Sequence, residues 1–255
     1  MDDSPTIRLT VPSEEDGRPL LEIVAEALVD RVAAVKPQSA FFERHASTGV
    51  AALQSIIRQL RQSGTLVILD VKRGDIGSTA AAYADAYLDP ASPLAADAVT
   101  ASPYLGVGAL GPMIETALAA GAGMFVLART SNPEGAGLQR AVTASGRTVA
   151  QVVIDEISQV NAGVEPMGDL GVVIGATIAA DPAEPPLDLA AMGGPILAPG
   201  LGAQGGRPED LASIFGAARS QVLAAYSREI SGAGPTLAGL RAATDRVRAV
   251  LRHNL

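Results

Sequence analysis

The chain has 255 residues, 48% hydrophobic and 18% charged, with 27 acidic against 19 basic side chains and a net charge of −8. That balance excludes a nucleic-acid or anionic-membrane binder, because any bound anion would need a local gathering of Lys, Arg and backbone N–H groups. With no Cys there is no disulfide, thiolate nucleophile or zinc–thiolate site, and the two histidines, His45 and His253, read as surface residues rather than a metal pair.

Trp is absent and aromatic residues are 3%, so the core must be built from Ala, Val, Leu and Ile. The length suits a single domain over 1–255. The N-terminus lacks the apolar stretch of a signal peptide, and no apolar run is long enough to cross a bilayer, so a cytoplasmic location is expected.

In chain order, Leu20 to Val29 reads as a helix and Arg31 to Val35 as a strand ending in Lys36-Pro37. Phe41 to Leu60 reads as mostly helix. Leu66 to Val71 is a buried aliphatic strand that ends abruptly in charge: Asp70, Lys72, Arg73 and Asp75. Side chains alternate along a strand, so Asp70 and Lys72 share a face. Ile76 to Tyr83 then opens a helix with Ser78 and Thr79 in its first turns.

Strands follow at Asp97–Thr100, Met124–Leu127, Leu170–Ile174, Ile196–Ala198 and Val222–Tyr226, separated by helices at 110–119, 148–160, 188–192 and 208–215. Ala179 to Pro186 is a loop, and Leu237, Leu240, Val247 and Leu251 mark a closing amphipathic helix. Regular alternation of apolar strands with helices predicts a parallel α/β sheet, open or closed, and the length is near that of a (β/α)8 barrel.

Lys36, Asp70, Lys72, Ser102, Thr130, Ser131, Gln204 and Arg228 each fall at or just beyond the C-terminal end of a predicted strand. In a parallel barrel those ends converge on the face that carries the active site. An isolated Asp-x-Lys is as readily a surface ion pair. Opposed charges directly after a buried strand are costly to desolvate unless a site uses them.

Five segments carry a family resemblance: Val35 to Glu43, Asp70 to Thr79, Thr130 to Gly135, Pro199 to Gly206 and Ser227 to Ile230. Together they resemble the orotidine 5′-phosphate decarboxylase family, in its actinobacterial branch. The resemblance implies a TIM barrel that converts orotidine 5′-monophosphate to uridine 5′-monophosphate and CO2 without metal or organic cofactor. It implies a catalytic array of Lys36, Asp70, Lys72 and Asp75, with Lys72 protonating C6. Asp2, Thr79, Ser131, Gln204, Gly205 and Arg228 are the implied substrate-binding residues. Asp75 and Thr79 are implied to reach a neighbouring subunit's site, hence a homodimer. Arg219 competes with Arg228 for the phosphate.

Alternatives are open at this level. Gly200-x-Gly202-x-x-Gly205 fits a dinucleotide fingerprint, but the segment about 20 residues on lacks the ribose-binding acid. A magnesium-dependent sugar-phosphate decarboxylase of the same superfamily shares the Asp-x-Lys arrangement. Met1-Asp2-Asp3-Ser4-Pro5 resembles the end of the family's first strand, so the expectation is a barrel lacking most of that strand and its preceding helix, with an upstream start. On that view the chain could be an inactive nucleotide-binding remnant.

Overall fold

The computed structural model describes residues 20–178 and 186–254. Asp2, the expectation of an N-terminal truncation and most of the 179–186 loop fall outside the described residues. Seven parallel strands pair strictly in chain order: β1 (Ala34–Val35), β2 (Leu66–Arg73), β3 (Ala98–Ala101), β4 (Gly123–Arg129), β5 (Leu170–Ile174), β6 (Ile196–Ala198) and β7 (Val222–Ala224). Each pair is parallel, as βα alternation demands.

The sheet curls, because side chains from its first and last strands meet in one inner cluster: Ala34, Ile68, Ala98, Phe125, Val173, Leu197 and Leu223. Phe125 fits inside because its neighbour on β5 is Gly171, where any Cβ would lie 2.8 Å from the ring. The opposite face of each strand packs on the helices in a larger aliphatic core, from Leu53, Ile57 and Leu60 to Met113, Ile154 and Ile157.

The helices are α1 (Leu20–Leu28), α2 (Ser39–Glu43), α3 (Ala46–Gln62), α4 (Gly77–Tyr87), α5 (Gly111–Ala120), α6 (Ala136–Gln139), α7 (Val149–Asn161), α8 (Leu211–Phe215), α9 (Arg228–Ser231) and α10 (Leu237–Leu251). Helix α1 packs on α10 through Ile23, Ala27 and Leu240, bringing the two ends of the described chain together. Thr148 caps α7 and Thr236 caps α10, each accepting an N–H from its first turn.

The sequence expectations fail locally where the backbone turns against its usual preference. The expected strand from Arg31 is only two residues long, because Asp30 adopts φ 61° and Arg31 N–H turns back to the Leu28 carbonyl. The single expected helix over 41–60 is two, broken before Ala46 at φ 51°. Gly49 lets the second helix approach the Phe42 carbonyl, which a Cβ would meet at 1.9 Å. The expected helices at 188–192 and 208–215 are a 3-10 turn at Ala190–Met192 and a 3-10 turn running into α8.

Candidate active site

Asp70 lies in the middle of β2 rather than at its end, since the strand runs on to Arg73. It is 5% exposed and still charged by design of its surroundings. Its Oδ2 accepts from Lys36 Nζ at 2.6 Å, and its Oδ1 accepts from Lys72 Nζ at 2.5 Å and from the Thr100 hydroxyl at 2.8 Å. Burial by itself raises the Asp70 carboxyl. The Lys36 charge and hydrogen bond, with those of Lys72, outweigh burial and hold it below its ordinary value.

Lys72 reaches Asp70 by a route that simple alternation does not give. The β2–β3 register steps from Leu69↔Val99 to Arg73↔Ala101, four residues of one strand against two of the other. Within that bulge Lys72 sits at φ 48°, in the left-handed region. For a residue with a Cβ this costs roughly 1–2 kcal/mol, so the neighbours must impose it. Lys72 N–H is taken by Thr100 Oγ1 at 3.0 Å.

Lys36 comes from the loop after β1, and Gln38 two residues on ties that loop to β2. Gln38 Nε2 donates to the Asp70 carbonyl at 3.3 Å, and its Oε1 accepts from Lys72 Nζ at 3.4 Å. Pro37 O accepts Asp70 N–H at 2.9 Å. Outside this cluster Glu43 accepts from Ser39 Oγ at 2.5 Å and from Arg73 Nη2 at 2.6 Å. The Ser39 bond leads in holding its carboxyl below the ordinary value, ahead of Arg73 and against the opposing effect of burial.

The remaining expected residues divide between this rim and its edge. Asp75 makes no ion pair with Lys36 or Lys72 within the chain; its Oδ1 accepts the Ile76 N–H at 2.8 Å. Thr79 is exposed on α4. Ser102, after β3, packs its carbonyl against Gly74, where any Cβ would be 2.1 Å away. Ser131 and Gln204 meet around Gly200: a Cβ there would lie 3.5 Å from Gln204 Oε1, 3.6 Å from Thr177 Cγ2 and 3.8 Å from Ser131 Oγ.

In the 200–206 loop three of the glycine N–H groups are spent within the loop itself. Gly202 N–H donates to Gly206 O, Gly205 N–H to Gly202 O and Gly206 N–H to Gly200 O, at 2.7–2.9 Å. The N–H groups of Gly200, Leu201, Ala203 and Gln204 have no acceptor among the described residues, and of these residues Ala203 and Gln204 are exposed. Arg228 opens α9, beyond the C-terminal end of β7 and on the side of the rim. Arg219 precedes β7, at the opposite end of the strand, which removes it from this face. Glu229 packs against Gly202 with its Oε2 buried and unpaired.

Thr100 and Gln38 escaped the sequence reading. The available signals were faint: Thr100 is the one polar residue of the apolar strand Ala98–Ala101, and Gln38 follows Lys36 by two positions. Among the described residues, no three His, Asp or Glu side chains group so that they could hold a metal ion, and no helix is long and apolar enough to cross a membrane.

A curled parallel sheet with an ion-paired Lys–Asp–Lys cluster at its C-terminal rim defines a (β/α)-barrel enzyme. Known proteins narrow that class. A curated orotidine 5′-phosphate decarboxylase from Salinispora arenicola is 67% identical over 231 residues, covering 91% of this chain and 82% of the relative. The enzyme of that name from Streptomyces coelicolor is 49% identical over 233 residues, covering 90% and 81%.

Among solved structures, one from Streptomyces avermitilis assigned to the same activity superposes with a TM-score of 0.86 at 50% identity, covering 92% of this chain and 81% of that one. The Leishmania donovani OMP decarboxylase gives 0.67 at 30% identity, covering 91% and 88%. The chain belongs to the orotidine 5′-phosphate decarboxylase / HUMPS family, whose model matches residues 11–243.

Proposed function

We propose that the chain decarboxylates orotidine 5′-monophosphate to uridine 5′-monophosphate and CO2, a carboxy-lyase reaction of pyrimidine nucleotide synthesis. The observation that carries this reading is the buried Asp70 carboxylate held between the Lys36 and Lys72 ammoniums, in a chain of this family. Neither the magnesium-dependent nor the dinucleotide alternative has comparable support.

The difficult step leaves an electron pair on a ring carbon with little delocalisation. The C6–carboxylate bond breaks, its electrons stay on C6, and neutral CO2 departs. A positive charge fixed beforehand at C6 lowers that barrier without reorganisation. Lys72 is oriented for this by its bonds to Asp70 and Gln38; the C6 electron pair then takes a proton from its ammonium to form the C6–H bond, leaving a neutral amine that regains a proton from solvent. Asp70, anionic because its pKa is depressed, repels a carboxylate bound beside it, and this repulsion vanishes as CO2 leaves. Lys36 orients Asp70 from the other side.

Binding of the remote phosphate supplies energy used at the ring. In this reading Arg228 and the N–H groups near Gln204 grip the phosphate, and Ser131 and Gln204 read the base. Gly205 shapes the loop, and Asp2 contacts ribose. Asp75 and Thr79 act in a partner's site within a homodimer. In support, Phe41 on α2, Ile76 in the turn before α4, and Tyr104 and Leu105 after β3 are apolar or aromatic side chains 63%, 61%, 77% and 54% exposed. The reading takes 1–255 as one catalytic domain acting in the cytoplasm, consistent with a chain without Cys.

The test is loss of orotate-ring absorbance with purified protein and orotidine 5′-monophosphate, without added metal, for wild type and Lys72→Ala. Turnover by wild type that Lys72→Ala lacks is the expected result. Undiminished turnover by Lys72→Ala would remove that residue from its role, and tight nucleotide binding without turnover by wild type would make the chain a binding remnant.

A further inference from the structure

We infer that the Thr100 hydroxyl is a positioning group that holds Lys72 in its left-handed conformation, with its ammonium directed onto Asp70. This inference rests on the decarboxylase reading above and adds to it a residue from a strand that reading does not use.

The bonding leaves no freedom in direction. A backbone N–H can only donate, so at Lys72 N–H the Thr100 oxygen is an acceptor, at 3.0 Å. A carboxylate can only accept, so the one hydroxyl proton goes to Asp70 Oδ1, at 2.8 Å. The same Oδ1 receives Lys72 Nζ at 2.5 Å. A closed ring results, running from Lys72 N–H through the Thr100 hydroxyl to Asp70 Oδ1 and back to Lys72 Nζ. Lys72 is thus fastened at its N–H by Thr100 and at its ammonium by the same Asp70 oxygen to which Thr100 donates, and Thr100 is buried on β3 at 1% exposed.

The ring explains how a strained residue persists beside an irregular register. At the bulge Lys72 N–H loses the carbonyl that a regular ladder would offer it, and the hydroxyl takes that place. Removing it orphans a backbone N–H at the same time as it deprives Asp70 of a donor. Lys72 would then relax towards ordinary strand geometry, carrying its ammonium away from the reacting carbon. Small misplacements of this kind reduce turnover more than affinity, because they act on the near-attack geometry.

The experiment compares wild type, Thr100→Val, which is nearly isosteric and lacks the hydroxyl, and Thr100→Ser, which keeps it. Thr100→Ala is the second hydroxyl-free variant, and melting curves establish that each protein is folded at the assay temperature. Thr100→Val is expected to lose about 10- to 100-fold in kcat with KM within about threefold, and Thr100→Ser to recover most of that loss.

The acid limb of the pH profile moves upward in Thr100→Val, because the Asp70 anion, faced by Lys36 and Lys72, has lost one donor. Folded hydroxyl-free variants with wild-type kcat and an unmoved acid limb would overturn the inference while leaving the decarboxylase reading intact. So would unfolding of both hydroxyl-free variants beside an active Thr100→Ser, which assigns the hydroxyl to folding. A wild-type protein with no turnover overturns the decarboxylase reading and this inference with it.

Discussion

Gln139 grips Thr130 from both sides: its Oε1 accepts the Thr130 N–H at 2.9 Å, and its Nε2 donates to the Thr130 hydroxyl at 2.8 Å. Gly135 leaves room for the pair, since a Cβ there would lie 2.9 Å from Nε2 and 3.0 Å from the hydroxyl oxygen. Ser131, the next residue, inherits its position from this clamp. Gln139→Ala is expected to raise KM for the nucleotide about tenfold, with a smaller effect on kcat, because it loosens a proposed substrate contact. Steady-state kinetics check it, and an unchanged KM would separate Ser131 from substrate binding.

Lys36 governs the acid stability of the site. Asp70 has a depressed carboxyl pKa, so its contribution is fully present above the unfolded value near 3.9 and is lost as pH falls through the lower folded value. Lys36 supplies the largest favourable part of that depression. Lys36→Ala brings the folded value up towards the unfolded one, so the variant should be less stable than wild type at neutral pH and the difference should shrink as pH falls. Melting temperatures from pH 3 to 7 compare the two, and superimposable acid profiles would contradict the argument.

Two glycines of the 200–206 loop predict different outcomes. Gly200→Ala places a methyl within van der Waals reach of Gln204, Thr177 and Ser131 at φ 106°, so substrate affinity falls and stability drops by about 1–2 kcal/mol. Gly202→Ala, at φ 71°, drives its Cβ to 2.0 Å from Glu229 Oε1 and must displace that carboxylate. It should cost more than Gly200→Ala. Adding Glu229→Ala should restore the steric part only, leaving the backbone part, as denaturant midpoints of the double mutant would reveal.

Asn161 offers a control remote from the chemistry. Its amide donates to Leu170 O at 2.8 Å and Met192 O at 3.1 Å, stapling β5 to the segment before β6, with Gly168 and Gly194 closed around it. Asn161→Ala orphans these buried groups at about 1–3 kcal/mol each. Thermal stability should fall while kcat at low temperature stays near wild type. A large loss of kcat in folded protein would mean that this end of the barrel communicates with the rim.

Ile76→Glu combined with Tyr104→Glu tests the proposed dimer. Two carboxylates in an apolar interface face unpaired desolvation, so sedimentation should show monomers. Turnover should fall with dissociation if Asp75 and Thr79 complete a partner's site. Monomers as active as wild type would confine the active site to one chain.

Much of the architecture is legible because short apolar runs bounded by turn residues have few alternatives. The limits of β5 and β6 coincide with the sequence reading residue for residue. The Asp70–Lys72 pairing was also legible, although its route was not. Alternation puts both on one face, but a lysine at positive φ inside a bulge follows from tertiary bonds, chiefly to Thr100, that no local preference announces. Arg228 and Arg219 illustrate the converse. Nine residues apart in sequence, they lie at opposite ends of β7, a separation that the sequence spacing does not reveal.

The two-residue β1 divides the charge array between anchors of unequal strength. Asp70 and Lys72 belong to an eight-residue strand paired on both sides, whereas Lys36 leaves a strand that is an edge among the described residues. Local opening should therefore begin at Ala34–Lys36, with fast amide exchange there and slow exchange in β4 and β5. On warming, the protein would lose one of its two ammoniums from the cluster while its far-ultraviolet circular dichroism still looked native, so inactivation precedes melting.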